Sequence, residues 1–415
     1  MLKVAIIGLG NRGRIYAHNF TAQGAKVVAI CEKNPGMNAY IAKKYGIPAD
    51  KASLDEKDFF GAGKLADALV IATQDRDHYR HAVLGMELGY HLLCEKPVSP
   101  TLGECEELER MSREKGLKMV VCHVLRYAPF YDKIKQVIDS GAIGEITNIN
   151  QTENVGYWHF AHSYVRGNWR REDETGPSIL AKCCHDLDLF YYYTGVPCER
   201  VYSVGERRVF LPENRPEGAP DRCMDGCPYA KTCPYEVSKL YYKPTLKTIP
   251  WLIGHVKVVT GKGNPTKKDI VEALKTSPYG RCVYASDNDV VENQVVSCKM
   301  GKVNATLTMT AQSARCFRRV HIMGTKGEIF GQDSSGRFKL NIWGELPKTV
   351  KVNKSIGHLG GDKGIVCDFI ALMENGEITP RLSMMDKTIM SHKMAFAAEE
   401  SRKSGQAVVI DNQNK

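Results

Sequence analysis

Apolar residues fall in short blocks along the first third of the chain, and the block spacing changes near residue 145. Leu2-Lys3-Val4-Ala5-Ile6-Ile7 is followed by a glycine-rich turn, a stretch of helical spacing and a second block, Lys26-Val27-Val28-Ala29-Ile30. Short runs rich in β-branched residues predict strands. The same reading predicts a strand over 66–72, a helix over 78–88, a strand over 91–94, a helix over 101–115 and a strand over 118–122. Alternation of this kind predicts an α/β class with a doubly wound parallel sheet, in which ligands bind at the carboxyl ends of the strands. The strand-end residues are Gly8, Glu32, Thr73, Glu95, Lys96 and His123.

Beyond 145 strands follow one another, over 145–154, 201–209, 290–298, 303–311, 317–323 and 338–343, with turns such as Met300-Gly301-Lys302 between them. Strands in series predict a large, mostly antiparallel sheet. A helix over 178–193 interrupts it, and helices near 362–374 and 384–404 close the chain. The expected division is a nucleotide domain over 1–123 and an α+β domain over 124–415. Residues 211–285 are rich in Pro, Gly, Cys, Tyr and Lys and break the strand pattern, which marks them as an insertion.

The turn after the first block reads Gly8-Leu9-Gly10-Asn11-Arg12-Gly13, and Glu32 stands 19 residues past its last glycine. With a strand before it and a helix after it, this spacing predicts a dinucleotide site. Gly8 permits the tight turn, Gly10 lets the backbone approach a pyrophosphate, and Gly13 lets helix and strand pack closely. Asn11 and Arg12 open the helix, whose free N–H groups face the phosphates. Glu32 is placed to accept hydrogen bonds from a ribose diol, which favours NAD(H) over NADP(H), with Lys33 beside it as an opposing charge.

Composition adds limits more than content. The 415 residues are 43% apolar and 25% charged, ordinary for a globular protein with two or three domains. No run of 18 apolar residues predicts a membrane span, and strand one starts too early for an export signal, so a cytoplasmic location is expected. The net charge of +10 is spread along the chain without a nucleic-acid-reading motif. The expected partner is therefore a small molecule, with no nucleic acid or membrane. Most of the 14 cysteines sit in apolar strand or helix contexts and read as reduced thiols.

Glu95-Lys96-Pro97 follows the strand over 91–94. A lysine there can hydrogen-bond a substrate hydroxyl and stabilise it as an alkoxide. The proline fixes the turn and is compatible with a non-standard peptide geometry before it.

The glycine turn, His78 in Asp75-Arg76-Asp77-His78 and the stretch Gly89 to Pro97 together resemble the glucose-fructose oxidoreductase / inositol dehydrogenase / MocA (Gfo/Idh/MocA) family. The resemblance continues in Val124-Leu125-Arg126-Tyr127, in Lys182-Cys183-Cys184-His185-Asp186-Leu187-Asp188, in Gly357-His358-Leu359-Gly360-Gly361-Asp362 and in the tail from Ser391 to Ser401. It implies a Rossmann domain, an open-sheet α/β domain that makes oligomer contacts, a nicotinamide cofactor, and sugar or polyol substrates. It puts the catalytic lysine on Lys96 and the catalytic histidine on His185, and it adds Thr73, His78 and Glu95 to the cofactor contacts. Where many relatives carry an aspartate four residues before the histidine, this chain has Ala181. Lys182 then either binds a substrate hydroxyl or pairs with Asp186. Asp188 either orients His185, binds substrate or stabilises the helix. His123, Arg126, Tyr164, Arg166, Trp169, Arg170 and His358 complete the expected substrate pocket.

Cys223, Cys227 and Cys233 lie within eleven residues, and Cys282 ends the insertion. Four thiolates in a loop-rich excursion predict a structural metal site, with zinc expected first and an iron–sulfur cluster second, and with unliganded thiols or disulfides as the remaining reading. The function expected from these features is hydride transfer between a nicotinamide and a hydroxyl carbon of a sugar, polyol or glycoside. The alternatives are an NAD-dependent glycosidase working through transient oxidation at C3 and a non-catalytic dinucleotide sensor.

Overall fold

Buried β-branched residues build the first sheet, as the blocks predict. The computed structural model describes residues 1–243, 249–353 and 360–412, and of 249–254 the backbone only. The first part of the chain runs β1 (Lys3–Ile7), α1 (Asn11–Ala22), β2 (Lys26–Cys31), α2 (Pro35–Tyr45), β3 (Ala52–Ser53), α3 (Glu56–Gly61), β4 (Ala68–Ile71), α4 (Asp75–Glu87), β5 (His91–Cys94), α5 (Leu102–Glu114) and β6 (Met119–Val121). Its six strands lie in the order β3-β2-β1-β4-β5-β6, and every pairing is parallel. β1 and β4 stand at the centre with almost no exposed side chain, because helices cover both faces.

The second part continues with α6 (Pro129–Asp139), β7 (Ile146–Gly156), α7 (Tyr157–Phe160), α8 (Glu172–Thr175), α9 (Ser178–Thr194) and β8 (Arg200–Glu206). The insertion carries α10 (Val237–Tyr241), α11 (Ile249–Thr260) and α12 (Lys267–Thr276). Then come β9 (Asn293–Met300), β10 (Val303–Ser313), β11 (Phe317–Gly324), β12 (Gly327–Gln332), β13 (Arg337–Ile342) and β14 (Lys348–Lys351), followed by α13 (Gly361–Asn375), α14 (Met385–Ser404) and β15 (Val408–Val409). The nine strands run β14-β13-β12-β11-β7-β10-β9-β8-β15. All of these pairings are antiparallel except β7 with β10. Alternation along β9 buries Gln294, Val296, Cys298 and Met300 and leaves the other face to solvent.

Two features go beyond the sequence reading. The insertion has apolar residues of its own to bury: Val256, Val259, Ile270 and Leu274 join the second core. α12 begins with a capping box in which Thr266 and Asp269 satisfy each other's backbone. The chain also re-enters its first layer. Ile365, Val366, Phe369 and Leu372 of α13 pack with Val4 and Ile6 of β1, so a cut at residue 123 separates the sheets but not the helices.

Candidate functional site

The glycine turn has the form a dinucleotide needs. Gly8 adopts φ +86°, and a Cβ added to Gly13 would sit 1.9 Å from the carbonyl oxygen of Gly8, so only glycine fits either position. A Cβ on Gly10 would meet nothing within 4 Å, which leaves that backbone open to an incoming group. No side chain caps the start of α1 and no acid stands in its first turn, so its orphan N–H groups are left for an anion. Asn11 is exposed there. Glu32, at the end of β2, accepts from the N–H of Leu9 at 2.7 Å and of Asn34 at 2.9 Å, which fixes its carboxylate at the rim of the turn.

Four expected cofactor contacts, Arg12, Glu95, His78 and Thr73, bond within the protein. Arg12 pairs with Glu95 and, at 2.7 Å, with Asp362 at the start of α13. Tyr16 donates to Glu95 at 2.6 Å. Burial pushes the Glu95 carboxyl up, but Arg12 and Tyr16 outweigh it and hold it below its ordinary value. The His78 ring lies between two backbone carbonyls, 2.8 Å from that of Pro97 and 3.2 Å from that of Thr73. It thus ties the Lys96–Pro97 turn, whose peptide is cis, to the end of β4. The Thr73 hydroxyl lies 3.0 Å from Nδ1 of His81.

Lys96 is where the two parts of the chain meet. It leaves the end of β5, and its Nζ donates to the carbonyl of Ala181 at 2.9 Å. That carbonyl belongs to α9, one turn before His185. Position 181 thus offers Lys96 a backbone acceptor. His185 keeps 8% exposure, and its Nδ1 lies 3.4 Å from Nδ1 of His123. Lys96, just past the end of β5, therefore docks on α9 one turn before His185.

Behind His185 the expected pocket residues close on each other. Arg126 grips Asp188 through Nε at 2.7 Å and Nη2 at 2.5 Å, and both are almost wholly buried. His123 is fully buried 3.8 Å from Asp188, and burial drives its pKa down to about 3 against the pull of that carboxylate. His392 of α14 accepts from the N–H of Val98 at 3.0 Å. These groups support the turn that carries His185 and do not face open space. Tyr164 is likewise a core residue, stacked on Phe160 at 5.0 Å. Trp169 donates to Asp75 at 2.7 Å and closes the second part of the chain onto the start of α4. Arg170 bonds Asp287 at 3.0 Å. His358 lies outside the described residues.

Lys182 pairs with Glu153 rather than with Asp186. Its Nζ is 3.3 Å from Glu153 on β7, and although burial lowers its pKa, Glu153 holds it above the ordinary value. Asp186 pairs with Arg318 of β11, which also reaches Glu153 at 2.8 Å. Glu153, Arg318, His159 and Cys316 escaped the sequence reading. The one signal for Glu153 is an acid at a buried position of a strand. His159 and Cys316 come together at 3.5 Å from elements 157 residues apart, which no local pattern announces.

Arg166 is engaged inside the insertion, donating to the carbonyls of Arg281 at 2.7 Å and Tyr235 at 2.9 Å. There Cys223, Cys227, Cys233 and Cys282 line one cavity. Among the described residues, however, no group of three or more His, Cys, Asp or Glu is placed to hold a metal ion, so the expected zinc has no preformed site. No disulfide joins any of the 14 cysteines. No helix is long and apolar enough to cross a membrane among the described residues.

Two family models match the chain: "Oxidoreductase family, NAD-binding Rossmann fold" over residues 2–123 and "GFO/IDH/MocA C-terminal domain" over 131–223. An inositol 2-dehydrogenase of Salmonella typhimurium is 27% identical over 194 residues, 46% of this chain and 54% of that protein. A D-glucoside 3-dehydrogenase of Escherichia coli is 26% identical over 203 residues, 47% of this chain and 55% of its own length. The chain thus spans about half the length of these curated relatives. An oxidoreductase of Agrobacterium radiobacter, crystallised with NAD+, L-tartaric acid and magnesium, shares the fold with a TM-score of 0.70 at 15% identity, covering 98% of both chains.

Proposed function

The chain belongs to the Gfo/Idh/MocA oxidoreductase family, and on that footing we propose that it moves a hydride between NAD(H) and a hydroxyl carbon of a sugar, polyol or glycoside. The observation that carries this reading is the Lys96–Ala181 hydrogen bond. It docks an amine, just past the end of β5, on α9 one turn before the His185 imidazole. The residues fit a dinucleotide. The open backbone at Gly10 and the uncapped start of α1 take the pyrophosphate, and Glu32 takes the ribose diol. A bound nicotinamide supplies the hydride acceptor or donor.

His185 takes the hydroxyl proton when the substrate is oxidised and returns it on reduction. Lys96 shifts its donor bond from Ala181 to the substrate oxygen and stabilises the charge that develops there. Lys182 offers a second amine on the same helix for a neighbouring hydroxyl. Relatives named as dehydrogenases of inositol and glucosides support net oxidation of a ring hydroxyl. Neither the glycosidase nor the sensor reading gains support from them. Purified protein with NAD+ and a panel of inositols, sugars and glycosides tests the proposal through reduced-nicotinamide absorbance. The free thiols are consistent with a cytoplasmic enzyme. The solvent-facing side of the large sheet, with Tyr202 and Val295 exposed on neighbouring strands, is the surface through which copies of the chain would associate.

Cofactor choice follows from Glu32. A carboxylate there accepts from a 2′-hydroxyl and repels a 2′-phosphate. Titration should show NAD(H) bound more tightly than NADP(H), and Glu32→Ser should narrow the gap. Because Glu32 also holds the N–H of Leu9, the variant should weaken NAD(H) binding as well. Tighter NADP(H) binding by the native protein would refute the assignment.

A further inference from the structure

We propose that α11 of the insertion is a clasp laid across the dinucleotide cleft, enclosing bound NAD(H) between the reacting groups and the rim at Glu32. The inference rests on the dinucleotide reading above. Two contacts hold the helix, one near each end of that cleft.

The first contact is with the residues that follow β7. The ring of His255 stands edge-on to His162 at 4.2 Å between centroids, with His159 at 6.1 Å and Trp158 at 6.3 Å. His162 is itself fixed within the insertion. Its Nδ1 lies 2.9 Å from the Tyr241 hydroxyl of α10, and its ring stacks on Tyr279 at 4.8 Å. His159 shows where this end of the helix stands. Burial drives its pKa well below the ordinary value, and the positive charges of Lys182 and Lys96 act in the same direction, which places the ring near both amines.

The second contact is with the first sheet. Nδ2 of Asn34 reaches the carbonyl oxygen of Gly261 at 3.5 Å. Gly261, at φ +66°, ends α11 with its N–H on the carbonyl of Lys257 at 2.9 Å. The N–H of Asn34 is the one that Glu32 holds at 2.9 Å. The turn that offers a carboxylate to the ribose diol therefore also carries the far end of α11. His255 and Gly261 are six residues apart. At a rise of 1.5 Å per residue, the helix bridges the two parts of the chain over about 9 Å.

Between the two contacts one apolar residue is left open. His255, Val258 and Gly261 follow at i, i+3 and i+6, a spacing that sets them along one side of a helix. Val256 and Val259 are buried in the second core, whereas Val258 is 48% exposed. A dinucleotide running from the Glu32 rim toward Lys96 passes between the two contacts and covers Val258. Release of the cofactor then waits on the helix lifting away, as it does under a closed lid.

The test is hydrogen exchange of the full chain, read by mass spectrometry with and without NADH. Exchange should slow over 8–13 and over 255–263 together. Protection over 8–13 with 255–263 unchanged would overturn the clasp and leave the dinucleotide site standing. Absence of NADH binding, with no protection at either segment, would overturn both. A second measurement is the rate of NADH release into excess NAD+, followed by fluorescence. Val258→Asp sets a carboxylate against the phosphates and should speed release at least about 10-fold. Lys351→Gln, the same change of charge on the edge strand β14, should release NADH at the native rate. Native release from Val258→Asp would overturn the proposal. Exchange in the native protein decides the matter even if that variant fails to fold.

Discussion

Lys96→Met should lower kcat by at least about 100-fold and leave NAD(H) affinity close to that of the native protein. The side chain keeps its length, so what is lost is the charge and the donor. In the resting protein that donor rests on the carbonyl of Ala181, an acceptor supplied by a helix whose own hydrogen bonds already use it. Moving it to a substrate oxygen therefore sacrifices little in the ground state and gains most when the oxygen becomes an alkoxide. The effect should appear in kcat more than in KM. His185→Ala should cost a similar factor and flatten the pH profile of kcat/KM, because it removes the group that carries the proton. Turnover near the native rate in both variants would show that the chemistry sits elsewhere.

Asp188→Ala should be the most damaging single change to stability, by about 3–5 kcal/mol. Arg126 is 2% exposed, and both of its bonded nitrogens end on Asp188. Burial raises the carboxyl's pKa, but Arg126 and His123 outweigh it and keep it ionised below its ordinary range. Removing it strands a guanidinium in the core under His185. Replacing both partners, as in Arg126→Met with Asp188→Leu, should recover most of the loss, since the desolvated charges then disappear together. Thermal melts of the three proteins check this. An Asp188→Ala protein that melts with the native one would mean that the pair is not holding the turn in place.

The contrast between these two predictions shows what the sequence made legible. Lys96 was readable because a strand end and a glycine turn fix its place along the chain. Arg126, Asp188 and His123 were readable as residues of the site, but not as a closed group, because pairing between residues 62 positions apart leaves no local trace. Arg166 was expected in the substrate pocket together with Tyr164 and Trp169. Its direction is set by carbonyls of Tyr235 and Arg281, which only the folded insertion brings near. Elements with strong periodicity were read closely: the strand over 91–94 matches β5, and the helix over 178–193 matches α9 within a residue. β12 was missed because only Ile329 among its central residues is fully buried and Phe330 faces solvent. α2 was missed although Asn34 caps it and Gly46 ends it, since Ile41 is the one apolar residue it fully buries.

The central claim is hydride transfer to NAD+ from a hydroxyl-bearing carbon, and isotope transfer tests it most directly. The substrate found in the NAD+ panel is prepared with deuterium on the carbon that bears the reacting hydroxyl, and the reduced cofactor is weighed by mass spectrometry. The account predicts one deuterium on the nicotinamide of NADH formed by the native protein, and little NADH from Lys96→Met or His185→Ala. Unlabelled NADH, or no NADH from any inositol, sugar or glycoside while NAD+ is bound, would contradict it.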